Sequence, residues 1–372
     1  MDIRLLSTYS SIYIVGAQSR AKTLTGYFRL LYPDTLIEAY LVDDLSQNDR
    51  YIGNVPVLSI EADCHWNVED PVLIATKGIY HQEIVGRLKQ IGFHRIIPVT
   101  YEVDNQLRNQ YVRKIFEIQG RSFVRLDELP VALNEEKLAD FQMEQYKIYM
   151  AKSVYDKPLN NFYNNPAYEC AIQVGAALTQ LRLEDGILLD CDGDNISRKN
   201  RQYCELTALY WIWKNAGDAV VGLSHYRRHF VLPENWQTIM YSCNVDVVLP
   251  VPTCVLPSID KNYRERHTES DWDFLLEYMQ KNYKEDYEAA RTVFSGTLYS
   301  PCNMFIAKKK IVDDLCQWMF PIVDAVAMHG GEHEDSYLNR YPGFISERLI
   351  TLYFYMNREK YNIVYADKNF IQ

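Results

Sequence analysis

No stretch of the 372-residue chain approaches the ~20 consecutive apolar residues that a bilayer-spanning helix needs, and no basic-then-apolar leader opens it. The expectation is a cytoplasmic protein, free or held peripherally at the inner face of the membrane. There is no C-x-x-C pair. The eight cysteines (64, 170, 191, 204, 243, 254, 302 and 316) are scattered, several within apolar runs. That pattern predicts reduced, buried thiols and sets aside a disulfide framework. Basic excess is missing too: a net charge of −10 argues against general affinity for nucleic acid, while leaving room for a local basic pocket. Internal repeats and low-complexity tracts are absent. Only Gly16 remains of the three glycines of a dinucleotide fingerprint, which disfavours an NAD-dependent enzyme.

What is present is a globular composition, 48% hydrophobic and 24% charged, in a chain long enough for two domains. The 29 tyrosines suit sugar faces and polar clefts, or else reflect AT-rich coding. In the first third, apolar runs at 11–16, 37–42, 55–58, 71–76 and 95–99 alternate with helical patterns near 21–32 and 80–91. Alternation of this kind predicts a parallel, Rossmann-like sheet over residues 1–125. Gly16 to Thr23 approximates a P-loop, but Ala21 stands where the glycine before Lys22 is required. Asp43 and Asp44 close the second strand, where a ribose could be read; a structural or partner-docking role is favoured over nucleotide binding. The layout resembles the small Rossmann-like domains that accompany sugar-modifying enzymes of bacterial surface polysaccharides.

Residues 102–139 carry mixed charge and short apolar patches, with loop and helix-start signals at Asp127-Glu128-Leu129-Pro130 and Asn134-Glu135-Glu136-Lys137. They predict a connector at 126–145 and a second domain at 146–372. That domain opens on Tyr146-Lys147-Ile148-Tyr149-Met150-Ala151, a strand leading into Lys152 and Tyr155. An acidic turn, Asp190-x-Asp192-x-Asp194-Asn195, follows an apolar triplet, and a helix is expected at 203–214. The apolar run Val220-Val221-Gly222-Leu223 then ends abruptly in Ser224-His225-Tyr226-Arg227-Arg228. Ligands of open α/β sheets sit outside the carboxyl ends of strands, and arginine's planar fork suits phosphate. Solvated arginines paired with surplus carboxylates are the plain alternative.

Several separated motifs carry a more specific resemblance. Asp194-Asn195-Ile196-Ser197 with Asn200, Tyr203-Cys204-Glu205-Leu206-Thr207-Ala208, Gly222 to Arg228, Asn303-Met304-Phe305-Ile306 and Arg340 to Leu349 resemble the bacterial family called domain of unknown function 4422. That family accompanies capsular and exopolysaccharide synthesis. The resemblance implies an α/β chain whose C-terminal domain is a GT-A-like glycosyltransferase. It would take a hexose, galactose or galactofuranose, from a nucleotide sugar such as a UDP-hexose to a glycan or lipid-linked acceptor. A non-catalytic sugar-nucleotide-binding module is the rival.

On this reading Lys152 and Tyr155 line the nucleoside site, while Asp194, Asn195, Asn200, Arg227, Arg228 and Arg348 hold the donor. His225 and Tyr226 lie near the reacting centre, and the general base is sought among His225, Asp271 and Glu347. His267 would share a helix face with Asp271, or both would be solvated; Glu347 and Arg348 could instead form a buried pair. The diphosphate charge is met either by Mn²⁺ or Mg²⁺ on Asp190 and Asp192 or by the arginines directly. His329-Gly330-Gly331-Glu332-His333 reads as a loop, because two glycines disfavour a regular helix.

Overall fold

The computed structural model describes residues 3–62, 66–130, 141–160 and 165–371. Cys64, the Asn134 to Lys137 helix-start signal and part of the expected connector lie outside the described residues. The chain divides into two compact units, Met1–Ser122 and Phe123–Gln372.

In the first unit the apolar, β-branched and aromatic run Ser11–Val15 forms β1, buried along its whole length. A strand buried on both faces belongs at the centre of a parallel sheet. It pairs in parallel with β2 (Leu36–Val42) and β5 (Val72–Ile74). With β3 (Tyr51–Ile52), β4 (Val55–Ser59) and β6 (Ile96–Pro98) the order is β3-β4-β2-β1-β5-β6, and β3 alone pairs antiparallel. Helices α1 (Ser19–Leu31) and α2 (His81–Ile91) complete the crossovers. Asp43, at the end of β2, pairs with Arg87 at 2.6 Å.

The mixed-charge stretch after β6 belongs to the first unit and forms α3 (Tyr101–Ile118), capped by the Thr100 hydroxyl accepting from the Val103 N–H. Its buried residues Leu107, Tyr111, Val112 and Phe116 fall on one helical face. The charges between them hide that stripe from a reading by local composition.

The second unit begins before the expected 146. Leu126 is fully buried in its core, and Arg125 pairs with Asp367 at 2.7 Å. Its main sheet comprises β7 (Tyr146–Lys152), β8 (Glu169–Gln173), β9 (Leu188–Leu189), β10 (Val220–His225), β11 (Val247–Pro250), β14 (Phe305–Lys308) and β15 (Ile363–Ala366). The short strands β12 (Thr253–Cys254) and β13 (Leu298–Tyr299) pair separately. The main order is β15-β11-β14-β10-β7-β8-β9, and β14 alone runs against its neighbours.

Around it lie α4 (Leu206–Asn215), α5 (Trp236–Ser242), α6 (Ile259–Arg266), α7 (Glu269–Asn282), α8 (Lys284–Ser295), α9 (Lys309–Gly330) and α10 (Tyr341–Met356). The helix expected at 203–214 is broken: a single turn at Asn200–Tyr203 is separated from α4 by Cys204, whose φ is +49°. His329 and Gly330 also differ from expectation, forming the last turn of α9, where glycine is readily accommodated; the loop starts at Gly331. Both units are thus α/β with parallel-rich sheets, a Rossmann-like sheet followed by a GT-A-like domain.

All six residues of β10 are buried. At Gly222 an added Cβ would lie 2.9 Å from the Phe305 carbonyl oxygen and 3.1–3.2 Å from the Ile306 and Ile148 side chains. Gly222→Ala is therefore expected to lower stability by about 1–3 kcal/mol in denaturant titration. An unchanged midpoint would show that the strands have room to part.

Candidate functional site

Because β7 and β10 are parallel and in register, Ala151 sits opposite His225, and the Tyr226 N–H donates to the Ala151 carbonyl. Antiparallel β14 brings the residues just before it, Cys302 and Asn303, to the same edge. Here a cavity of about 70 Å³ is lined by Cys204, Glu205, His225, Arg228, Cys302, Arg340, Gly343, Phe344 and Glu347. Glu205 and Arg340 are the residues that precede α4 and α10, so the amino ends of two helices meet at this cavity.

His225 Nε2–H donates to the Cys302 carbonyl at 2.5 Å and lies 4.0 Å from Glu205 Oε1. Burial lowers the imidazole below its ordinary pKa, against the opposing pull of the Glu205 carboxylate. The Cys302 N–H donates to Glu347 Oε1 at 2.6 Å, and Arg348 Nη1 donates to Glu347 Oε2 at 2.7 Å. Burial pushes the Glu347 carboxyl up, against the pull of Arg348. Burial also raises Glu205, but the His225 ring and the Asn303 amide outweigh it and hold the group below the usual carboxylate value. Arg340 Nε donates to Cys204 Sγ at 3.0 Å, and Arg228 lies over the Phe370 ring. Among the described residues neither arginine forms an ion pair. The site thus combines two guanidinium groups, neither in a close ion pair among the described residues, with two carboxylates at a strand edge.

The residues expected to act together are only partly brought together. His225, Arg228 and Glu347 line the cavity. Tyr226 and Arg227 continue from β10; Arg227 lies over the Tyr226 ring, and its buried Nε has no hydrogen-bond partner among the described residues. Lys152 ends β7, and Tyr155 follows on a turn, 74% exposed. Arg348 is a correction: it is 2% exposed beneath Tyr299 and holds Glu347, the buried-pair arrangement, rather than facing a donor.

Asp271 lies elsewhere. It is buried in the first turn of α7, with Oδ2 3.6 Å from His333 Nε2, and burial pushes its pKa up. His267 does not share its helix; it follows α6 and stacks on Phe344 at 4.1 Å.

The metal assignment to Asp190 is overturned by its surroundings. Asp190 is fully buried. Its oxygens accept from the Gly175 N–H (2.8 Å), the Ala176 N–H (3.0 Å), Ser197 Oγ (2.5 Å) and Thr207 Oγ1 (2.6 Å). No lone pair remains for a cation. Asp192 is exposed, and among the described residues no three His, Cys, Asp or Glu side chains are grouped to hold a metal. Asp194 accepts from Tyr210, while the amide nitrogens of Asn195 and Asn200 donate within their own turns, to Cys191 and Gly193 carbonyls and to Cys204 and Thr207 respectively. These two amides serve the scaffold instead of an open donor site. Glu205 and Arg340 were legible only as parts of the family motifs, with no local pattern marking them as cavity residues.

Residues 147–358, more than half of the chain, match the family model described as Domain of unknown function (DUF4422). Among solved structures, the apo structure of the bifunctional glycosyltransferase WbbM is similar, with 27% identity and a TM-score of 0.53. The match covers 61% of this chain and 45% of that one, so the chain spans less than half of that protein. No curated protein matches. No helix among the described residues is long and apolar enough to cross a membrane.

Two outcomes follow from these contacts. Asp190→Ala removes the shared acceptor of four buried donors and is expected to lose about 3 kcal/mol or more, with or without Mn²⁺; a loss that appears only with the metal present would restore the metal role. His267 is held down to about 3 by burial, with Arg348 and Arg266 adding to it. Folding therefore excludes its proton, so this contribution is present above the ordinary value of 6.5 and is lost as pH falls from there toward 3. Denaturant titrations should show His267→Phe losing less stability than wild type over that window; parallel slopes would refute it.

Proposed function

The chain belongs to the DUF4422 family, and from that footing we propose that its second unit is a glycosyltransferase moving a hexose, galactose or galactofuranose, from a UDP-sugar. The acceptor is a glycan or a lipid-linked saccharide of surface-polysaccharide assembly, met in the cytoplasm at the inner face of the membrane. The observation that carries this is the cavity at the carboxyl edge of β10, where Arg228 and Arg340 form no ion pair among the described residues and lie beside two helix amino ends. Such a place favours an anion. The similarity to WbbM, a bifunctional glycosyltransferase, supports the reaction class.

Breaking the bond from the anomeric carbon to the diphosphate develops negative charge on the leaving phosphate, and fixed guanidinium groups in a partly buried site stabilise it. Arg228 and Arg340 take that part, with Arg227 beside them. Tyr155 keeps an exposed ring for the nucleobase, and Lys152 ends the neighbouring strand. Between Mn²⁺ or Mg²⁺ and the arginines as the source of positive charge, the spent oxygens of Asp190 favour the arginines.

Calorimetry with UDP tests the site: Arg228→Ala and Arg340→Ala are each expected to weaken binding about tenfold or more. UDP release from UDP-hexoses should persist in EDTA. Unchanged UDP affinity in both variants contradicts the diphosphate site, and UDP binding without turnover of any UDP-hexose leaves a non-catalytic module.

A further inference from the structure

Among the carboxylates of the cavity, Glu205 is the one with an oxygen that no other described residue engages. Glu347 has one oxygen on the Cys302 N–H and the other on Arg348 Nη1. His225 has its Nε2–H committed to the Cys302 carbonyl. Glu205 accepts from a single other described residue, the Asn303 amide, through Oε1 at 2.9 Å. No other described residue donates to its Oε2, and Glu205 lines the cavity.

The amide that holds Glu205 is itself fixed by two further bonds. Asn303 Nδ2 also donates to the Gly343 carbonyl at 3.0 Å, and Asn303 Oδ1 accepts from Ser346 Oγ at 2.9 Å. Asn303 is 1% exposed and Ser346 not at all. The backbone of Asn303 is left-handed, φ +52°, a conformation asparagine tolerates better than most residues. A buried relay therefore runs from the first turns of α10 to one oxygen of one carboxylate, and the other oxygen takes no bond from another described residue.

Resting on the transferase reading, we propose that Glu205 is the catalytic base of the sugar transfer and that Asn303 is the residue that positions it. The acceptor hydroxyl oxygen bonds to the anomeric carbon as the bond from that carbon to the β-phosphate oxygen breaks. The hydroxyl proton passes to Glu205 Oε2, and the electron pair of the broken bond leaves on UDP, whose charge Arg228 and Arg340 meet. A single displacement of this kind inverts the anomeric configuration. Glu205 then returns its proton to water. Glu347 and His225, both tied to the Cys302 peptide, hold the turn from either side.

The test uses the full chain, UDP-galactose and UDP-galactofuranose as donors, and octyl β-galactoside as acceptor. Glu205→Gln is expected to lower kcat about 10²–10⁴-fold, the usual contribution of a general base, with UDP affinity by calorimetry unchanged within about twofold. Asn303→Asp sets a second carboxyl against Glu205 and should move the acidic limb of the kcat/KM profile up by about one pH unit or more. A merely structural Asn303 would lower Tm and leave that limb in place.

Three results overturn the inference: Glu205→Gln with near wild-type turnover, an acidic limb unmoved in Asn303→Asp, or a product of retained configuration. Wild-type protein that turns over neither donor overturns the transferase reading and this inference together; an active wild type with an equally active Glu205→Gln overturns this inference alone.

Discussion

Two consecutive residues without the freedom of glycine, Cys302 and Asn303, hold left-handed backbone conformations with φ of +72° and +52°. They sit where antiparallel β14 enters beside the carboxyl end of β10. Such conformations cost of order 1–3 kcal/mol each and persist only where the surroundings over-determine them. Here they do: the Cys302 carbonyl takes His225, its N–H holds Glu347, and the Asn303 side chain joins Glu205 to Ser346 and Gly343. One turn thus sets the positions of an imidazole and two carboxylates drawn from three separate elements. Loosening it would move all three at once.

The acidic turn after β9 does a different job. Asp190 gathers the backbone after β8, the Ser197 hydroxyl and Thr207 in the first turn of α4. Asn200 reinforces it by donating to the same Thr207 hydroxyl. The residue immediately before α4 is Glu205, so the buried carboxylate fixes the helix end that presents a cavity carboxylate. Asp190 contributes through the scaffold, its four hydrogen bonds leaving no lone pair for a cation. Two guanidinium groups at a partly buried edge interact with an anion more strongly than they would in open solvent.

The parts of this arrangement that follow from short-range pattern were legible in the chain. A short β-branched run such as Val220-Val221-Gly222-Leu223 reads as a buried strand, and an abrupt change to His225, Tyr226, Arg227 and Arg228 marks its carboxyl end. The alternation of the first third likewise predicts its parallel sheet. Contacts between distant segments were not legible. Cys204 gives no hint that its backbone turns left-handed and cuts the expected helix, and without that break Glu205 reads as one more helical glutamate. Alternating aspartates look alike whether their oxygens face a metal or, as at Asp190, hydroxyls and amides from elsewhere in the chain. In α3 the apolar stripe is diluted by charge, which hides a regular helix from a reading by local composition. At Asp271 the partner is His333, from a loop more than sixty residues on, where local spacing had suggested His267.

The central claim, that the edge of β10 is the donor's diphosphate site, is tested most directly by a crystal structure of the protein with UDP bound. The account predicts the diphosphate oxygens within hydrogen-bond distance of Arg228 and Arg340, about 3 Å, with the base toward Tyr155. A diphosphate lodged instead at the Asp192 and Asp194 turn through a bound cation would contradict it.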